Sequence, residues 1–236
     1  MREEKGVRQM SYYPVFLDVN DKKALVIGGG EVAERKVETL LDYGAAVLIV
    51  SRELTFRLKE MVEEGRVRYA GPEFDENQLE GIFLVIAATD DEVLNHRVSL
   101  SAQERGLLIN AVDQPEDCNF IVPSIVRRGH LQVAISTSGK SPALARKIRE
   151  ELELRFGEEY EKLLVVMGNI REVILSKGLP QQQNKRIFQE IIESDILEAI
   201  AGKDRERMET IVKSVLDNEF DWAPVLERVL GSEEKG

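Results

Sequence analysis

Short apolar runs alternate with stretches of helical periodicity over the first half of the chain. The apolar runs are ALVIG, AAVLIVS, IFLVIAAT and LLINAVD, and the stretches between them end at Gly44, Gly65 and Gly106. Glycine is the residue expected just beyond a helix C-terminus. Short apolar strands joined by helices are typical of βαβ units and a parallel sheet covered on both faces. The pattern predicts an α/β fold with a doubly wound parallel sheet over residues 1–113.

The pattern changes in the segment IVRRGHLQVAISTSGKSP, where two apolar runs flank RRGH. This arrangement predicts a small antiparallel β element, which we place in a second module over residues 114–148. Ser141 suits the cap of a following helix and Pro142 its first turn. The rest of the chain, 149–236, predicts a helical C-terminal domain, with LPQQQNK as a linker between helices.

Composition and charge narrow the classes of function. The 236 residues carry a net charge of −11, from 43 acidic and 32 basic residues, which argues against a general nucleic-acid binder. No apolar run approaches the roughly 20 residues that cross a bilayer, and the N-terminus lacks the features of a signal peptide. We therefore expect a cytoplasmic protein without a membrane span.

The cysteine and histidine residues are too few to form a metal or disulfide site. Cys118 is the single cysteine, and His96 and His130 are the two histidines. These residues provide no disulfide framework and no zinc-ligand spacing, so we expect no bound metal. Cys118 is expected to be a buried structural thiol. Chemistry is expected from carboxylates and a bound cofactor.

The segment LVIGGGEVAERK, residues 25–36, contains a candidate phosphate-binding turn. Gly28, Gly30 and Ala33 fit G-x-G-x-x-G/A, in which the first glycine permits a tight turn and the second admits a pyrophosphate. The third small residue lets the helix pack on the strand. A strand is predicted before the motif and a helix after it, which favours a Rossmann dinucleotide site over a purely structural turn.

The end of the second apolar run leaves the choice of cofactor open. An acidic residue is expected there to bind the ribose hydroxyls, but the chain has Ser51, then Arg52, then Glu53. Arg52 would suit the 2′-phosphate of NADP, whereas Glu53 would suit NAD. In a third interpretation Ser51 caps the next helix and the two charged residues are solvated.

Three further positions fall where strands end. Asp113 lies at the carboxyl end of the fourth run, where ligands bind open α/β sheets, although an aspartate before x-Pro is also a common turn former. Thr89 and Asp90 follow the third run and lie on the same predicted rim. An aspartate there is more often a helix cap than a catalyst.

The segment STSGKSP resembles part of a nucleotide-binding P-loop but does not match it. A P-loop needs a glycine five positions before Gly139, and Ala134 stands there. A strand, a short polar loop and a helix start remain, and this geometry suits carboxylates or phosphates. We expect an anionic substrate to contact this loop and its helix, unless they form only a solvated basic face. The candidate residues are Ser138, Lys140, Ser141 and Arg146.

Longer stretches of the chain resemble a known family. The stretches are YYPVFLDVNDKKALVIGGGEVAERKVETLLDYGA, IAATDDEVLN and INAVDQPEDCNFIVPSIVRRGHLQVAISTSGKSPALARKIREELE. In order and spacing they are similar to precorrin-2 dehydrogenase, the dehydrogenase module of siroheme synthase. The resemblance runs from about Tyr12 to about Gly178. It implies a Rossmann domain, a dimerisation element with strands exchanged between subunits, and a helical C-terminal region.

The resemblance also implies a reaction, which is the NAD-dependent oxidation of precorrin-2 to sirohydrochlorin during siroheme biosynthesis. The aspartate of the family's N-x-V-D segment falls on Asp113, which is then the expected catalytic base. Cofactor positions fall on Glu31, Val32, Arg52 and Glu53, and the family's use of NAD favours NAD. The homodimer is the expected assembly, with precorrin-2 and sirohydrochlorin as the small-molecule partners.

Two alternatives to a simple dehydrogenase stay open at this point. Some family members also insert ferrous iron into sirohydrochlorin, so the enzyme could be bifunctional. A dinucleotide-sensing regulatory domain would bind the cofactor without turnover. The sequence does not continue into the methyltransferase module of multifunctional siroheme synthases, so we expect that this chain does not make precorrin-2 itself.

Overall fold

A computed structural model describes residues 12–178 and 180–216 of the chain. The chain divides into two compact units. Among the described residues, unit 1 comprises Tyr12–Val122 together with Ser138–Lys140, and unit 2 comprises Pro123–Thr137 and the described chain from Ser141 to Leu216. The end of unit 1 at Val122 differs from the predicted boundary after residue 113, because Cys118 and Phe120 pack against the apolar clusters of unit 1. The division into two units places no limit at residue 148.

Unit 1 is built on a five-stranded parallel sheet with the order β3-β2-β1-β4-β5. The strands are β1 (Lys23–Ile27), β2 (Ala46–Val50), β3 (Val67–Gly71), β4 (Leu84–Ala87) and β5 (Leu108–Ala111). Strand order reverses between β1 and β4, and such a switch point opens a crevice at the carboxyl ends of the strands. The sequence predicted four of these strands and missed β3, an edge strand whose Arg68 and Tyr69 are exposed.

Helices cover both faces of the sheet. Helices α1 (Glu31–Asp42) and α2 (Phe56–Glu63) contribute buried residues to one apolar cluster, and α3 (Glu92–Glu104) contributes to the other. All three helices are followed by the predicted glycines, which have positive φ angles. Successive residues of β1 alternate between the clusters: Ala24 and Val26 lie in one, Leu25 and Ile27 in the other. Burial on both sides explains why this strand is uniformly apolar.

Unit 2 begins with the predicted antiparallel hairpin. Strands β6 (Ser124–Arg128) and β7 (Leu131–Ile135) pair across a turn at Gly129 and His130. The five helices described after them are α4 (Pro142–Arg155), α5 (Glu159–Ser176), α6 (Gln181–Glu193), α7 (Ile196–Ala201) and α8 (Arg205–Val215). The predicted start of α4 is confirmed, since Ser141 Oγ accepts a hydrogen bond from Leu144 N at 3.2 Å. Pro142 is the first residue of this helix.

The predicted linker LPQQQNK is wrong from Gln181 onward, because those residues form the first turn of α6. The helix buries Ile187 and Ile191, which lie one turn apart, and this apolar stripe decides the conformation of the polar residues before it. Buried residues from α5, α6, α7 and α8 form a single cluster in unit 2. Over the described residues, every helix is too short or too polar to cross a bilayer.

Ile170, at the centre of the unit 2 cluster, provides a test of this packing. It has no exposed surface, so Ile170→Ala should lower the free energy of unfolding by about 2–5 kcal/mol. Leu175→Ala on the same helix is the matched control, because Leu175 is 61% exposed and surface changes usually stay within about 0.5 kcal/mol. Urea unfolding followed by circular dichroism measures both, and equal losses would contradict the assigned core.

Candidate active site

A cleft of about 790 Å³ opens in unit 1, lined by residues that follow β1, β2, β4 and β5. The carboxyl ends of parallel strands meet at one edge of the sheet, so distant stretches of sequence converge there. Many of the predicted site residues line this cleft: Gly28, Gly30, Glu31, Val32, Glu53, Thr89, Asp90 and Asp113.

The turn after β1 runs close to the backbone of neighbouring segments. Gly28 has a φ of +121°, and a Cβ built on it would lie 2.1 Å from the carbonyl oxygen of Ala88. A Cβ on Gly29 would lie 1.9 Å from the carbonyl oxygen of Glu53, and the carbonyl of Gly29 accepts a hydrogen bond from Thr55 N at 2.9 Å. Both positions therefore require glycine. The sequence motif did not identify Gly29, because that position is unrestricted in the pattern.

Gly30 has different surroundings. It is the N-cap residue of α1 with an ordinary negative φ, no side chain caps the helix there, and a Cβ would meet no heavy atom within 4 Å. Ala33 is fully buried and packs with the sheet residues, as the motif requires. The first backbone N–H groups of a helix and its dipole attract anions. The space at Gly30 and the uncapped helix start therefore fit a pyrophosphate.

The segment after β2 presents Glu53, not Arg52, to the cleft. The Arg52 guanidinium pairs with Glu73 at 2.7 Å, both side chains are largely exposed, and Arg52 is not a lining residue. The interpretation in which Ser51 caps the next helix is wrong. The Ser51 hydroxyl donates to the carbonyl of Glu53 at 2.6 Å, and the cap of α2 is Thr55.

Thr55 joins two helices beside the cleft. Its Oγ1 accepts a hydrogen bond from Leu58 N at 3.2 Å and donates one to the Glu34 carboxylate at 2.5 Å. The side chain therefore fixes the start of α2 against α1. Sequence reasoning missed it because Ser51 also precedes the helix and suits a cap equally well.

The segment after β4 is held by a buried amide. Asn95 of α3 is 2% exposed. Its Oδ1 accepts from Thr89 Oγ1 at 2.7 Å and its Nδ2 donates to the Thr89 carbonyl at 2.9 Å. Asp91 caps α3 through Leu94 N, whereas Asp90 lines the cleft. Sequence analysis missed Asn95, although a polar residue among the buried positions of a helix is a detectable signal.

Asp113 lies two residues beyond β5 in a left-handed backbone conformation, with a φ of +59°. This conformation is uncommon for a residue other than glycine, and such strained residues concentrate at functional sites. The side chain is exposed and lines the cleft. Within the described chain, no side chain forms a hydrogen bond or ion pair with its carboxylate. The geometry leaves this carboxylate available to a bound molecule.

Cys118 lies beneath the Asp113 turn rather than in the cleft. The Cys118 thiol contacts the carbonyl of Ala111 at 3.2 Å and the carbonyl of Gln114 at 3.3 Å. Burial raises the pKa of the Cys118 thiol above its usual value. A half-buried thiol with a raised pKa is a poor nucleophile. The expected structural role is therefore supported by these contacts.

The cleft lining is acidic. It includes Glu31, Glu53, Asp90, Glu92 and Asp113, whereas none of the described lining residues is lysine or arginine. Within the lining, a bound pyrophosphate would therefore depend on backbone N–H groups, the α1 dipole and neutral polar side chains rather than on a cationic side chain.

The predicted substrate-contact residues are not part of this lining. Ser138 and Lys140 are exposed, and Ser138 has a φ of +53° in the turn that precedes α4. Ser141 caps α4, and the Arg146 guanidinium pairs with Glu150 on the same helix at 2.9 Å. That pairing raises the pKa of Arg146 and lowers the pKa of Glu150. The substrate role of these residues stays a prediction.

No metal site is found in the described chain: residues 12–178 and 180–216 contain no cluster of three or more His, Cys, Asp and Glu side chains suited to holding an ion.

Comparison with known proteins identifies two family matches. Residues 15–124 match NAD_binding_7, an NAD(P)-binding family, and residues 128–154 match the central region of sirohaem biosynthesis proteins. The siroheme synthase of Methylobacillus flagellatus is 39% identical over 207 residues, which cover 88% of this chain and 44% of that protein. The siroheme synthase of Actinobacillus succinogenes is 36% identical over 211 residues, which cover 89% and 44% of the two chains.

A solved structure shares the fold over most of its length. SirC, a precorrin-2 dehydrogenase, matches with a TM-score of 0.73 and 25% identity, and the match covers 86% of this chain and 98% of SirC. The siroheme synthases are longer, and this chain spans about 44% of the length of the two named above.

The parallel sheet, the glycine turn and the family match define a Rossmann-type protein with a site for a nicotinamide dinucleotide. Within that class, the chain belongs to the family of siroheme synthases and precorrin-2 dehydrogenases.

Gly29 and Gly30 should respond differently to substitution by alanine, which adds a methyl group. Gly30→Ala should fold normally, since the space is open and an alanine N-cap costs only about 1 kcal/mol. It should nevertheless weaken NADH binding about tenfold or more, because the methyl group occupies the space assigned to the pyrophosphate. Gly29→Ala should instead lower the stability of unit 1. Fluorescence titration with NADH and thermal unfolding distinguish these effects, and parent-like binding by Gly30→Ala would contradict the assignment.

Proposed function

We propose that this chain is an NAD-dependent dehydrogenase that oxidises precorrin-2 to sirohydrochlorin in siroheme biosynthesis. One observation carries the proposal: the exposed Asp113 carboxylate and the glycine turn line the same cleft. The similarity to SirC, a precorrin-2 dehydrogenase, over nearly the whole of that protein supports the substrate.

The cofactor is assigned to the residues along the sheet edge. Backbone groups of Gly28, Gly30 and the first turn of α1, at Glu31 and Val32, hold the pyrophosphate, while Ala33 permits the close packing of that helix. Glu53 binds the ribose hydroxyls at the β2 end. Thr89 and Asp90 extend the site toward β5, with Thr89 held by Asn95. A bound nicotinamide ring supplies the hydride acceptor for the oxidation.

Asp113 is the proposed general base. Oxidation of the macrocycle removes a hydride and a proton, and the carboxylate accepts the proton at one of its oxygens. Within the described residues, no side chain forms a hydrogen bond or ion pair with the Asp113 carboxylate. The carboxylate can therefore accept the proton without first breaking another interaction. The left-handed backbone at Asp113 aims the side chain from a short turn rather than from a flexible loop.

The carboxylate groups of precorrin-2 require cations that the cleft lining lacks. We propose that Lys140 and Arg146 supply this positive charge, and that Ser138 and Ser141 donate hydrogen bonds to the substrate carboxylates. Arg146 is paired with Glu150, but both side chains are more than half exposed. Exposed pairs of this kind contribute little free energy, so exchanging Glu150 for a substrate carboxylate costs little.

We assign NAD rather than NADP as the cofactor, because Glu53 lines the cleft and Arg52 is engaged with Glu73. A 2′-phosphate beside the Glu53 carboxylate would add a repulsive charge, whereas free ribose hydroxyls can donate hydrogen bonds to it. The proposal also includes a cytoplasmic homodimer, as the family resemblance implies.

The assignment of Asp113 predicts a selective loss of turnover. Asp113→Asn should reduce kcat about 10²–10⁴-fold, because the amide cannot accept the proton, while NADH binding stays near the parent value. The assay follows NADH absorbance with NAD and freshly generated precorrin-2, under anaerobic conditions and beside a control without enzyme.

Glu116→Gln is the matched control for this experiment. Glu116 is an exposed carboxylate three residues away that does not line the cleft, so its substitution should leave kcat unchanged. An Asp113→Asn protein that turns over at the parent rate would overturn the assigned base. A parent protein that binds NADH but never oxidises precorrin-2 would overturn the function. Parallel reactions with sirohydrochlorin and ferrous iron, without NAD, test the bifunctional alternative.

The cofactor assignment predicts that the parent binds NADH more tightly than NADPH, and that Glu53→Gln reduces this preference about tenfold or more. The amide removes the charge that repels a 2′-phosphate. Arg52→Gln is the companion variant and should leave the ratio of the two dissociation constants unchanged. Calorimetric titrations give both constants, and a ratio that responds to Arg52 but not to Glu53 would reverse the assignment.

A further inference from the structure

The residues that follow Asp113 are fastened to one face of α3. The residues of this face are Glu92, His96 and Ser99, which are spaced four and three residues apart and so lie on the same side of the helix. The Gln114 amide donates to the Glu92 carbonyl at 3.2 Å. Ser99 Oγ donates to the Asp117 carbonyl at 2.6 Å.

The third connection is a pairing of side chains. His96 Nδ1 lies 2.7 Å from Asp117 Oδ1, and the Asp117 side chain is 8% exposed whereas that of His96 is 57% exposed. An ionised carboxylate only accepts hydrogen bonds, so Nδ1 carries the hydrogen. A buried carboxylate without a partner is costly, and His96 is the side chain that pairs with the Asp117 carboxylate at this position.

Helix α3 also holds the opposite rim of the cleft. Asn95, the residue before His96, forms the two hydrogen bonds to Thr89 described above. Asn95 and His96 therefore attach the segment after β4 and the segment after β5 to the same helix, α3. Asp113 lies between these attachments and β5, in a left-handed backbone conformation with a φ of +59°.

We propose that His96 is a positioning residue for Asp113, acting through Asp117. The His96–Asp117 hydrogen bond holds the end of the Asp113 turn on α3 and thereby keeps the Asp113 carboxylate aimed into the cleft. The kinetic part of this inference rests on the proposed function, whereas the structural part does not.

Two substitutions of His96 distinguish the effect of losing the hydrogen bond from the effect of changing the size of the side chain. His96→Leu removes the donor and leaves the Asp117 carboxylate unpaired. His96→Asn keeps a donor, because the Asn amide nitrogen is the same number of bonds from the backbone as Nδ1 of histidine. His130→Leu is the matched control, since His130 is exposed in the turn between β6 and β7.

Cys118 provides a readout that does not depend on catalysis. It is the single cysteine of the chain, and its thiol contacts the carbonyls of Ala111 and Gln114 within the turn. The rate of its reaction with a disulfide reagent such as DTNB therefore reports on opening of the turn. His96→Leu should raise this rate about ten- to hundredfold, the range expected for the loss of a hydrogen bond to a charged group. His96→Asn and His130→Leu should react at the parent rate.

A further variant distinguishes local opening from general loss of stability. Val67→Ala removes buried volume in β3, at the sheet edge opposite β5. It should lower the urea midpoint without exposing Cys118 under native conditions. In the oxidation assay, His96→Leu should lower kcat about tenfold or more, with NADH binding within about twofold of the parent and with kcat restored in His96→Asn.

Each outcome bears on the proposal. Faster thiol reaction in His96→Leu alone, together with the fall in kcat, supports it. Parent-like thiol reaction in His96→Leu, or equal acceleration in Val67→Ala, overturns the assigned attachment. Faster thiol reaction with unchanged kcat overturns the link to Asp113. If the parent protein does not oxidise precorrin-2, the proposed function fails, and the thiol rates alone then decide whether His96 holds the turn.

Discussion

The cleft depends on the close approach of the first βα turn to the ends of neighbouring strands. Gly28 is close to the carbonyl of Ala88 after β4, and Gly29 to the carbonyl of Glu53 after β2. Side chains at either position would push the three segments apart. Because these segments supply the phosphate-binding, ribose-binding and rim residues, the contact sets the width of the cleft as well as the path of the chain. The helix that follows then begins with its N–H groups uncapped and facing open space at Gly30.

Much of this arrangement could be predicted because it follows from local rules. Apolar runs buried on two faces predicted four of the five strands, and glycines with positive φ angles terminate the three helices as expected. Because the carboxyl ends of parallel strands meet at one edge of the sheet, Thr89, Asp90 and Asp113 are expected on one rim. The structure brings all three to the same cleft.

The features that escaped prediction depend on tertiary contacts. Strand β3 is short and polar on one side, so it resembles a loop until it pairs with β2. Gly29 occupies an unrestricted position of its motif, and only the packing against Glu53 explains why glycine stands there. The polar start of α6 looks like a linker until Ile187 and Ile191 are seen to be buried. The burial pattern of α3 can single out Asn95 as a polar residue, but it does not show that the amide binds Thr89 in the segment before the helix.

The acidic lining of the cleft has a consequence for the two redox forms of a nicotinamide cofactor. The oxidised ring carries a positive charge and the reduced ring is neutral, while the phosphates are the same in both. Carboxylates at Asp90, Glu92 and Asp113 line the β4 and β5 side of the cleft, so a nicotinamide ring bound beside them would be attracted more strongly in its oxidised form. Charge alone would then favour binding of the oxidised cofactor and release of the reduced one. The overall equilibrium of the reaction is unchanged by this preference, which acts only on which form of the cofactor occupies the cleft.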